Sequence, residues 1–555
     1  MTTRPLDVCA EHLRLLGVDP LPCTIPSRPM DVDESLVQAS SGLMAVHGGE
    51  HGVPRRIALD VVSIATGTLA AQGVLAAQFA RMRGTDTSCV STSPLQGALS
   101  YLYHHLAIAT CGGSFPFKPL MDGAGPPFPT ADGAWVELEA LSGDAWVAFW
   151  KAVAVDERIA SRAWLPFVYR HLAGRCVLPG ELHTATRRET LDSLVRVASA
   201  RGVALCRVRA HDEVTKCPTP WTFAYLNRSA PVSPSRTSTV DAPLAGVRVV
   251  EVTSRLQGPL AGQLLRALGA EVLKIEPRGG DFGRCSPPFA GSRGAAYLAY
   301  NHGKTVVELD YKQPADRARL FELVANGDVF LHNWPRNRAE HLGLDFLSLA
   351  KANPRIVYAH AAGWSKGMPE PAPIAGDQLV QAHSGCGDLL TFDGEPPAPS
   401  RLTFVDTMGG LLAVEGILAA LCAREREPRA IGVDTSLFGG AMLLRESAVG
   451  RPARESLDCP LRTADGYLVA RATCDAERET IKSLRLTTRS ASEWIGPLAE
   501  AGIAAAVVHM DLACVPEQWK HTRVVEEVDD ACWVPAAPWS FSALAASETT
   551  ARADR

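Results

Sequence analysis

The sequence predicts an α/β protein built on a doubly wound parallel sheet, and three observations carry that prediction. Between Pro243 and Ala359, β-branched runs alternate with helical patterns, which is how consecutive βαβ units read. The chain also repeats part of itself at a fixed offset. Its 555 residues, 46% hydrophobic and 21% charged, match ordinary globular usage and suffice for three or four domains of about 150 residues.

The elements of the sheet follow in order. Gly246 to Val252 is a β-branched run, and Gly258-Pro259 opens an apolar helical pattern through Leu268. Glu271 to Glu276 reads as the next strand, completing one βαβ unit. The pattern recurs as a strand at Thr305–Leu309, a helix from Ala315 to Val324, and strands at Asp328–Leu331 and Ile356–Ala359. Such a sheet binds its ligand beyond the carboxyl ends of its strands. The first turn reads Leu256-Gln-Gly-Pro259 rather than GxGxxG, so a dinucleotide is weakly supported, and Glu276 reads as surface charge rather than a ribose ligand.

The repeat is specific. Glu34-Ser-Leu-Val-Gln-Ala-Ser-Ser-Gly42 aligns with Asp377-Gln-Leu-Val-Gln-Ala-His-Ser-Gly385, an offset of 343 positions. The same offset holds for Gly67 on Gly410, Gly73 on Gly416, Arg81 on Arg424 and Thr92-Ser93 on Thr435-Ser436. Farther on, Thr130-Ala-Asp-Gly133 matches Thr463-Ala-Asp-Gly466 at offset 333, and Gly202-Val203 matches Gly502-Ile503 at offset 300. The second copy is therefore shorter by 33 residues between those points. Pro220-Trp-Thr-Phe223 matches Pro538-Trp-Ser-Phe541. The roughly 130 residues from Pro243 to Gly376 have no counterpart ahead of Glu34. Gly67–Arg81 and Gly409–Arg424 are rich in Gly and Ala at helical spacing, which suits close helix packing.

Composition removes several functional classes. Lys+Arg is 55 against Asp+Glu 60, a net charge of −5 with no basic stripe, so nucleic acid is not the expected partner. The 14 cysteines contain no CxxC pair, which fits neither a zinc ribbon nor a disulfide framework and suggests a reducing cytoplasm. His104-His105 and the remaining histidines lack ligand spacing, so no metal is expected. Asp7, Glu11 and Arg14 interrupt the N-terminal apolar stretch, unlike a signal peptide. Leu411 to Ala423 is interrupted by Glu415 and falls short of the ~20 residues that span a bilayer; no membrane partner is expected.

Taken in order, Pro243-Leu-Ala-Gly-Val-Arg-Val-Val-Glu-Val252, Gly258-Pro259, Leu268-Gly-Ala-Glu-Val-Leu-Lys-Ile-Glu-Pro277 with Gly279-Gly-Asp281, Asn301-His-Gly-Lys304, Asn333, Leu342-Gly-Leu344, Asn353-Pro354, Gly376-Asp377 with Gln381-Ala382, and Thr435-Ser436-Leu437 resemble the class III CoA-transferases, the formyl-CoA and carnitine CoA-transferase group with its racemase relatives. The resemblance covers 243–542 and, through the repeat, 34–223. It implies a Rossmann-like large domain and small α+β domains, in a family that folds as two interlocked ring-like subunits. It divides the chain into a truncated first-copy large-domain remnant (1–115), a first-copy small domain (116–217), a Ser/Pro/Thr-rich linker (218–242), a second-copy CoA-binding large domain (243–455), a shortened second-copy small domain (456–512) and a C-terminal segment returning to the large domain (513–555). The product is either a monomeric pseudo-dimer or a homodimer.

The resemblance places the nucleophile on Asp377, which also has the residue type of a helix N-cap. It implies an aspartyl-CoA thioester, with acyl-CoA and a carboxylic acid as substrates and no tightly bound cofactor. It puts Leu256 and Gln257 near the pantetheine, Arg278 and Lys304 near the adenine and phosphates, and Asn333 and Trp334 against the nucleotide. Departures stand beside these matches. The family's Asn-Phe-Arg-Pro-Gly reads Asn333-Trp-Pro-Arg-Asn337 here, His341 replaces an arginine, and the nearest stand-in for the glycine loop over the intermediate is Gly112-Gly113. Glu34, aligned on Asp377, reads as a relic, and Asp377 is expected to be completed by the first copy's small domain. Two alternatives remain open. Asp406 occupies the racemases' catalytic aspartate position, although Gly376 stands where their histidine should precede Asp377, and a catalytically decayed CoA-binding scaffold is the other.

Overall fold

The computed structural model describes residues 4–25, 33–118, 123–215, 217–226, 238–370, 374–392, 394–449, 459–529 and 531–543. Its main sheet has seven strands in the spatial order 305–308, 271–276, 248–252, 329–332, 357–362, 431–436 and 222–225. All neighbours are parallel except the last pair. The strands form where expected, because Val249, Val250, Val252, Val329 and Val357 are buried and a sheet covered on both faces favours continuous β-branched runs.

The seventh strand comes from the other copy. Thr222–Tyr225 runs antiparallel to Ile431–Ser436, pairing Thr222 with Asp434 and Tyr225 with Ile431. The reciprocal exchange also occurs, since Ser540–Ser542, at the end of copy two, runs antiparallel to Cys89–Ser91 of copy one. The segment expected to be linker from 218 is thus structured through 226, with Trp221 buried; residues 227–237 lie outside the described residues.

Two long helices, Val61–Met82 and Phe404–Arg426, pack against each other at the centre. Gln72 Nε2 donates to the Leu411 carbonyl across their contact, at 2.7 Å. Each is long and apolar enough to cross a membrane, so the expectation of too short a run for the second is corrected, and each is buried inside the protein. Their small residues allow close approach, as the spacing predicts. A Cβ on Gly67 would come within 2.5 Å of the Pro5 carbonyl and Val8 of helix Pro5–Leu15, and one on Gly410 within 2.9 Å of the Gln257 carbonyl and 3.1 Å of Leu260 in helix Gln257–Ala267.

The contacts of the two copies also match ahead of Glu34 and Asp377, where the sequence alignment shows no counterpart. Helix Pro5–Leu15 stands on its long helix as Gln257–Ala267 stands on the other. Strand Cys23–Thr24 pairs in parallel with Cys89–Ser91, as 357–362 pairs with 431–436. Copy one therefore keeps a spatial remnant of the large domain ahead of Glu34.

The small domains are three-stranded antiparallel sheets, 128–129, 135–139 and 204–207 in copy one and 461–462, 467–471 and 504–507 in copy two. The first carries helices at 143–152, 157–168, 170–173, 180–186 and 191–201; the second retains only 475–483 and 491–500, with short 3₁₀ turns. The missing 33 residues are the helices between.

Candidate active site

Asp377 opens helix Asp377–Ser384, whose N-cap is Gly376, so Asp377 is the first helical residue rather than the cap. Its carboxylate turns instead to neighbours in the tertiary structure. Oδ2 accepts from the Asp406 N–H at 2.7 Å, and Oδ1 accepts from Gln381 Nε2. Gln381 is itself fixed, since its Oε1 accepts from the Ser400 N–H at 2.7 Å and its Nε2 donates to the Ser400 carbonyl at 3.2 Å. Asp377 thus lies against the N-terminus of helix Phe404–Arg426, where unpaired N–H groups and the helix dipole favour an anion.

Burial works the other way. Asp377 is 3% exposed, and loss of solvation with the neighbouring Asp406 holds its carboxyl well above the usual range, despite the Asp406 N–H and Gln381. Burial likewise pushes Asp406 up to about 7, with Arg255 opposing and Glu139 adding to the rise. Two acidic groups with raised pKa values in one cleft mark a candidate functional site.

Both carboxyls face a cavity of about 580 Å³ built by both halves of the chain. Copy two supplies Arg255, Leu256, Asp281, Phe282 and Tyr297; copy one supplies Glu139, Trp164, Tyr169 and His171. Trp164 to Leu172 belong to the helices copy two has lost. The first small domain therefore lines the same cavity as Asp377. Arg209 N–H donates to the Ala382 carbonyl at 2.9 Å, fixing that domain to the Asp377 helix.

Glu34 occupies the matching place in copy one. Its Oε1 accepts from Gln38 Nε2 at 2.9 Å and the Val62 N–H at 2.8 Å, and its Oε2 from the Ser63 N–H at 2.8 Å and Ser63 Oγ at 2.7 Å. Ser63 stands where Asp406 stands in copy two, so the acid opposite Glu34's carboxylate is replaced by a hydroxyl donor, while the buried Asp60 lies nearby and, with burial, holds Glu34 above the usual carboxylate range. His509 N–H donates to the Ala39 carbonyl at 3.0 Å, so the shortened small domain covers Glu34 as the full one covers Asp377.

The structure separates the remaining expected residues. Leu256 lines the cavity. Gln257 is buried and donates to the Ala362 carbonyl at 3.3 Å. Arg278 is exposed at the carboxyl end of strand 271–276 and pairs with Asp316 at 2.9 Å. Asn333 holds the first loop through both Ser254 main-chain atoms, at 3.2 and 2.8 Å. Trp334 is buried against Tyr311, Phe330 and His332.

Lys304 is buried, its ammonium 2.8 Å from Glu251 and donating to the Pro259 carbonyl. Glu276 is a correction. It is buried rather than a surface charge, accepting from Tyr297 Oη and Arg284 Nε at 2.6 Å each and from the Asp281 N–H at 3.0 Å, which shapes the cavity wall at 281–286. Gly112-Gly113 does not line the cavity; Gly113 lies against the backbone of Phe289. A Cβ on Gly376 would come 3.2 Å from Glu139 Oε2, so the histidine a racemase needs there meets the small domain. His104 is buried and bonded to Tyr300 Oη at 2.7 Å, and His105 is buried beside it. Among the described residues no group of three or more metal-binding side chains converges.

A family model described as CoA-transferase family III matches residues 27–222 and, a second time, 244–457. The chain belongs to CoA-transferase family III. The two matches bracket the junction between the copies and agree with an internal duplication of the CoA-transferase sequence. Among curated relatives in the family, the acetyl-CoA:oxalate CoA-transferase of Acetobacter aceti is 35% identical over 209 residues, covering 37% of this chain and 54% of that protein. The succinate–glutarate CoA-transferase of Agrobacterium fabrum is 36% identical over 208 residues, 35% of this chain and 51% of that protein. The chain thus spans about half the length of these relatives. A solved CAIB/BAIF family protein from Brucella suis is 23% identical, covering 54% of this chain and 96% of that one at a TM-score of 0.48.

Proposed function

We propose that this protein transfers CoA between an acyl-CoA and a carboxylic acid, with Asp377 as nucleophile. The observation that carries the reading is a buried carboxylate held by Gln381 and the Asp406 N–H at the floor of a cavity built by both copies. The names of the curated relatives, CoA-transferases acting on oxalate and on succinate and glutarate, support it.

In this reading the Asp377 carboxylate attacks the donor thioester carbonyl, expelling CoA thiolate and forming a mixed anhydride. The thiolate attacks the aspartyl carbonyl of that anhydride, releasing the donor acid and leaving an aspartyl-CoA thioester. The acceptor carboxylate then attacks the aspartyl carbonyl, and the expelled thiolate takes the new acyl group, restoring Asp377. No net proton is gained or lost. Whenever the aspartyl carbonyl is attacked, negative charge develops on its oxygen. The Asp406 N–H already points at Oδ2, so the helix N-terminus stabilises that oxyanion without reorganisation. CoA is read as crossing the carboxyl ends of the large-domain strands, with Leu256 at the reacting end and the exposed Arg278 offered to the phosphates. Asn333 and Trp334 support that surface by packing.

The test is intact-mass analysis after incubation with an acyl-CoA, with hydroxylamine trapping. A CoA adduct that maps to Asp377 and is absent from Asp377→Ala is expected. Deuterium exchange at the acyl α-carbon without an adduct would mean α-proton transfer instead, and neither signal would mean a scaffold.

A further inference from the structure

Two polar side chains in the wall of the Asp377 cavity are buried without partners. Gln378 and Thr403 both line it and are 3% and 2% exposed. Gln378 Nε2 and Thr403 Oγ1 have no hydrogen-bond partner among the described residues. Buried polar groups are nearly always paired, and leaving one unmet costs free energy. At Thr403 the local cause is visible. It is the N-cap of helix Phe404–Arg426, a position whose hydroxyl ordinarily accepts from an N–H of the first turn, yet it makes no such bond. The Asp377 carboxylate takes the Asp406 N–H instead. Gln378 follows Asp377 in the first turn of helix Asp377–Ser384, so the two unmet groups come from the two helix starts that hold the carboxylate.

Copy one gives the comparison. At the repeat offset of 343, Gln378 falls on Ser35 and Thr403 on Asp60. Ser35 Oγ is spent on the Asp33 carboxylate, and Asp60 brings an acid where copy two has a hydroxyl. The pair of unmet donors thus accompanies Asp377 and not Glu34. Within the Asp377 cavity, Tyr297 Oη, Asn301 Nδ2 and Ser286 Oγ are spent on Glu276, the Tyr297 carbonyl and the Phe282 carbonyl.

The reaction requires donors at one more place. When the Asp377 carboxylate attacks the thioester carbonyl carbon, the carbonyl π pair moves onto the acyl oxygen; it returns as the C–S bond breaks and CoA thiolate leaves. The Asp406 N–H serves the aspartyl oxygen, not the acyl one. We infer that Gln378 Nε2 and Thr403 Oγ1 donate to the acyl oxygen of the bound thioester, forming a second oxyanion hole, which makes both catalytic residues. This rests on the reading of Asp377 as nucleophile. Both groups are already out of water before substrate arrives, so their hydrogen bonds strengthen as charge develops without reorganisation.

Acetyl-CoA and succinyl-CoA are the probes, with the rate of adduct formation on Asp377 as one readout and hydroxylamine cleavage of the isolated adduct as the other. Forming the adduct passes through the acyl oxyanion, whereas hydroxylamine attacks the aspartyl carbonyl alone. Gln378→Leu and Thr403→Val are each expected to slow adduct formation at saturating acyl-CoA by about tenfold to hundredfold and to leave cleavage at the wild-type rate. Their thermal midpoints are expected to equal or exceed that of the wild type, because an unmet buried group has been removed. Thr403→Ser, which retains the hydroxyl, should keep most of the rate. Adduct formation at the wild-type rate in Gln378→Leu or Thr403→Val, or an equal loss in both reactions, overturns the inference while the transferase reading stands. Absence of adduct from both thioesters in the wild type overturns the transferase reading itself.

Discussion

The indole N–H of Trp221 donates to the carbonyl of Leu412 at 2.9 Å, joining the last strand of copy one to the central helix of copy two. Its counterpart, Trp539, donates to the Leu69 carbonyl at 2.7 Å, which is the same bond at the repeat offset. Gly416 admits the Trp221 ring, since a Cβ there would lie 3.0 Å from it, and Gly73 admits Trp539 at the same distance. The halves are thus interlocked by exchanged strands, each pinned by a buried tryptophan. Trp221→Ala is expected to destabilise the protein by about 3–5 kcal/mol, and Trp221→Phe, which keeps the ring but leaves the carbonyl without its donor, by about 1–3 kcal/mol. Denaturant midpoints measure both, and a Trp221→Ala protein as stable as wild type would remove the exchanged strand from any role in holding the halves together.

Glu34 predicts a separation of stability from chemistry. Its carboxylate accepts from the Val62 and Ser63 N–H groups, Gln38 and Ser63 Oγ in a fully buried setting. Glu34→Ala leaves those donors unmet and is expected to cost about 2–4 kcal/mol, while CoA capture on Asp377 persists in the fraction that folds. Loss of capture in folded Glu34→Ala would show that the two acids are not the structural and chemical members of the pair described above.

The parallel sheet was legible because strands covered on both faces need β-branched runs, and the repeat because paired glycines such as Gly67 and Gly410 admit close neighbours that nothing larger would allow. Asp377 stood out only through its family resemblance, since an acid at the start of a helix is indistinguishable in sequence from a cap. Glu139, Tyr169 and His171 were not legible. They reach the cavity from more than 200 positions away, through an exchange of domains that no local pattern records. Helix Pro5–Leu15 was missed because its offset from Gln257–Ala267 is 252 rather than 343, after the intervening strands and helices were lost. The burial of Lys304 was not legible because its partner, Glu251, lies 53 positions earlier on another strand.

That buried pair makes its own prediction. Burial lowers Lys304 to about 8 while Glu251 opposes the fall; Glu251, against the upward push of burial, is held below the usual carboxylate range by Lys304 and Lys274. Lys304→Met strips one counter-ion from a carboxylate that has no water to replace it, and is expected to cost about 3–5 kcal/mol. Replacing Glu251 by Leu in the same protein is expected to add to that loss, because it leaves the buried Lys274 without its carboxylate. The KM for acyl-CoA is expected to stay close to wild type; a tenfold rise with unchanged stability would return Lys304 to the phosphates.

Asp406 sets the pH response. Asp377 must be ionised to attack, and burial together with the nearby Asp406 holds its proton to higher pH than an ordinary aspartate. Adduct formation should therefore rise with pH, with a midpoint above the usual carboxylate range, and fall away in acid. Asp406→Asn removes the neighbouring charge but not the burial, so the midpoint of that rise is expected to move down without reaching the usual carboxylate range. Stability gives an independent sign. Asp406 titrates near 7 when folded and near 4 when unfolded, so its contribution is fully present below about pH 4 and is lost as pH rises through 7. Asp406→Asn should then gain thermal stability over wild type at pH 8 and lose that advantage at pH 4. An upward shift of the rate midpoint, or a stability gain confined to acid, would contradict the coupling between the two acids.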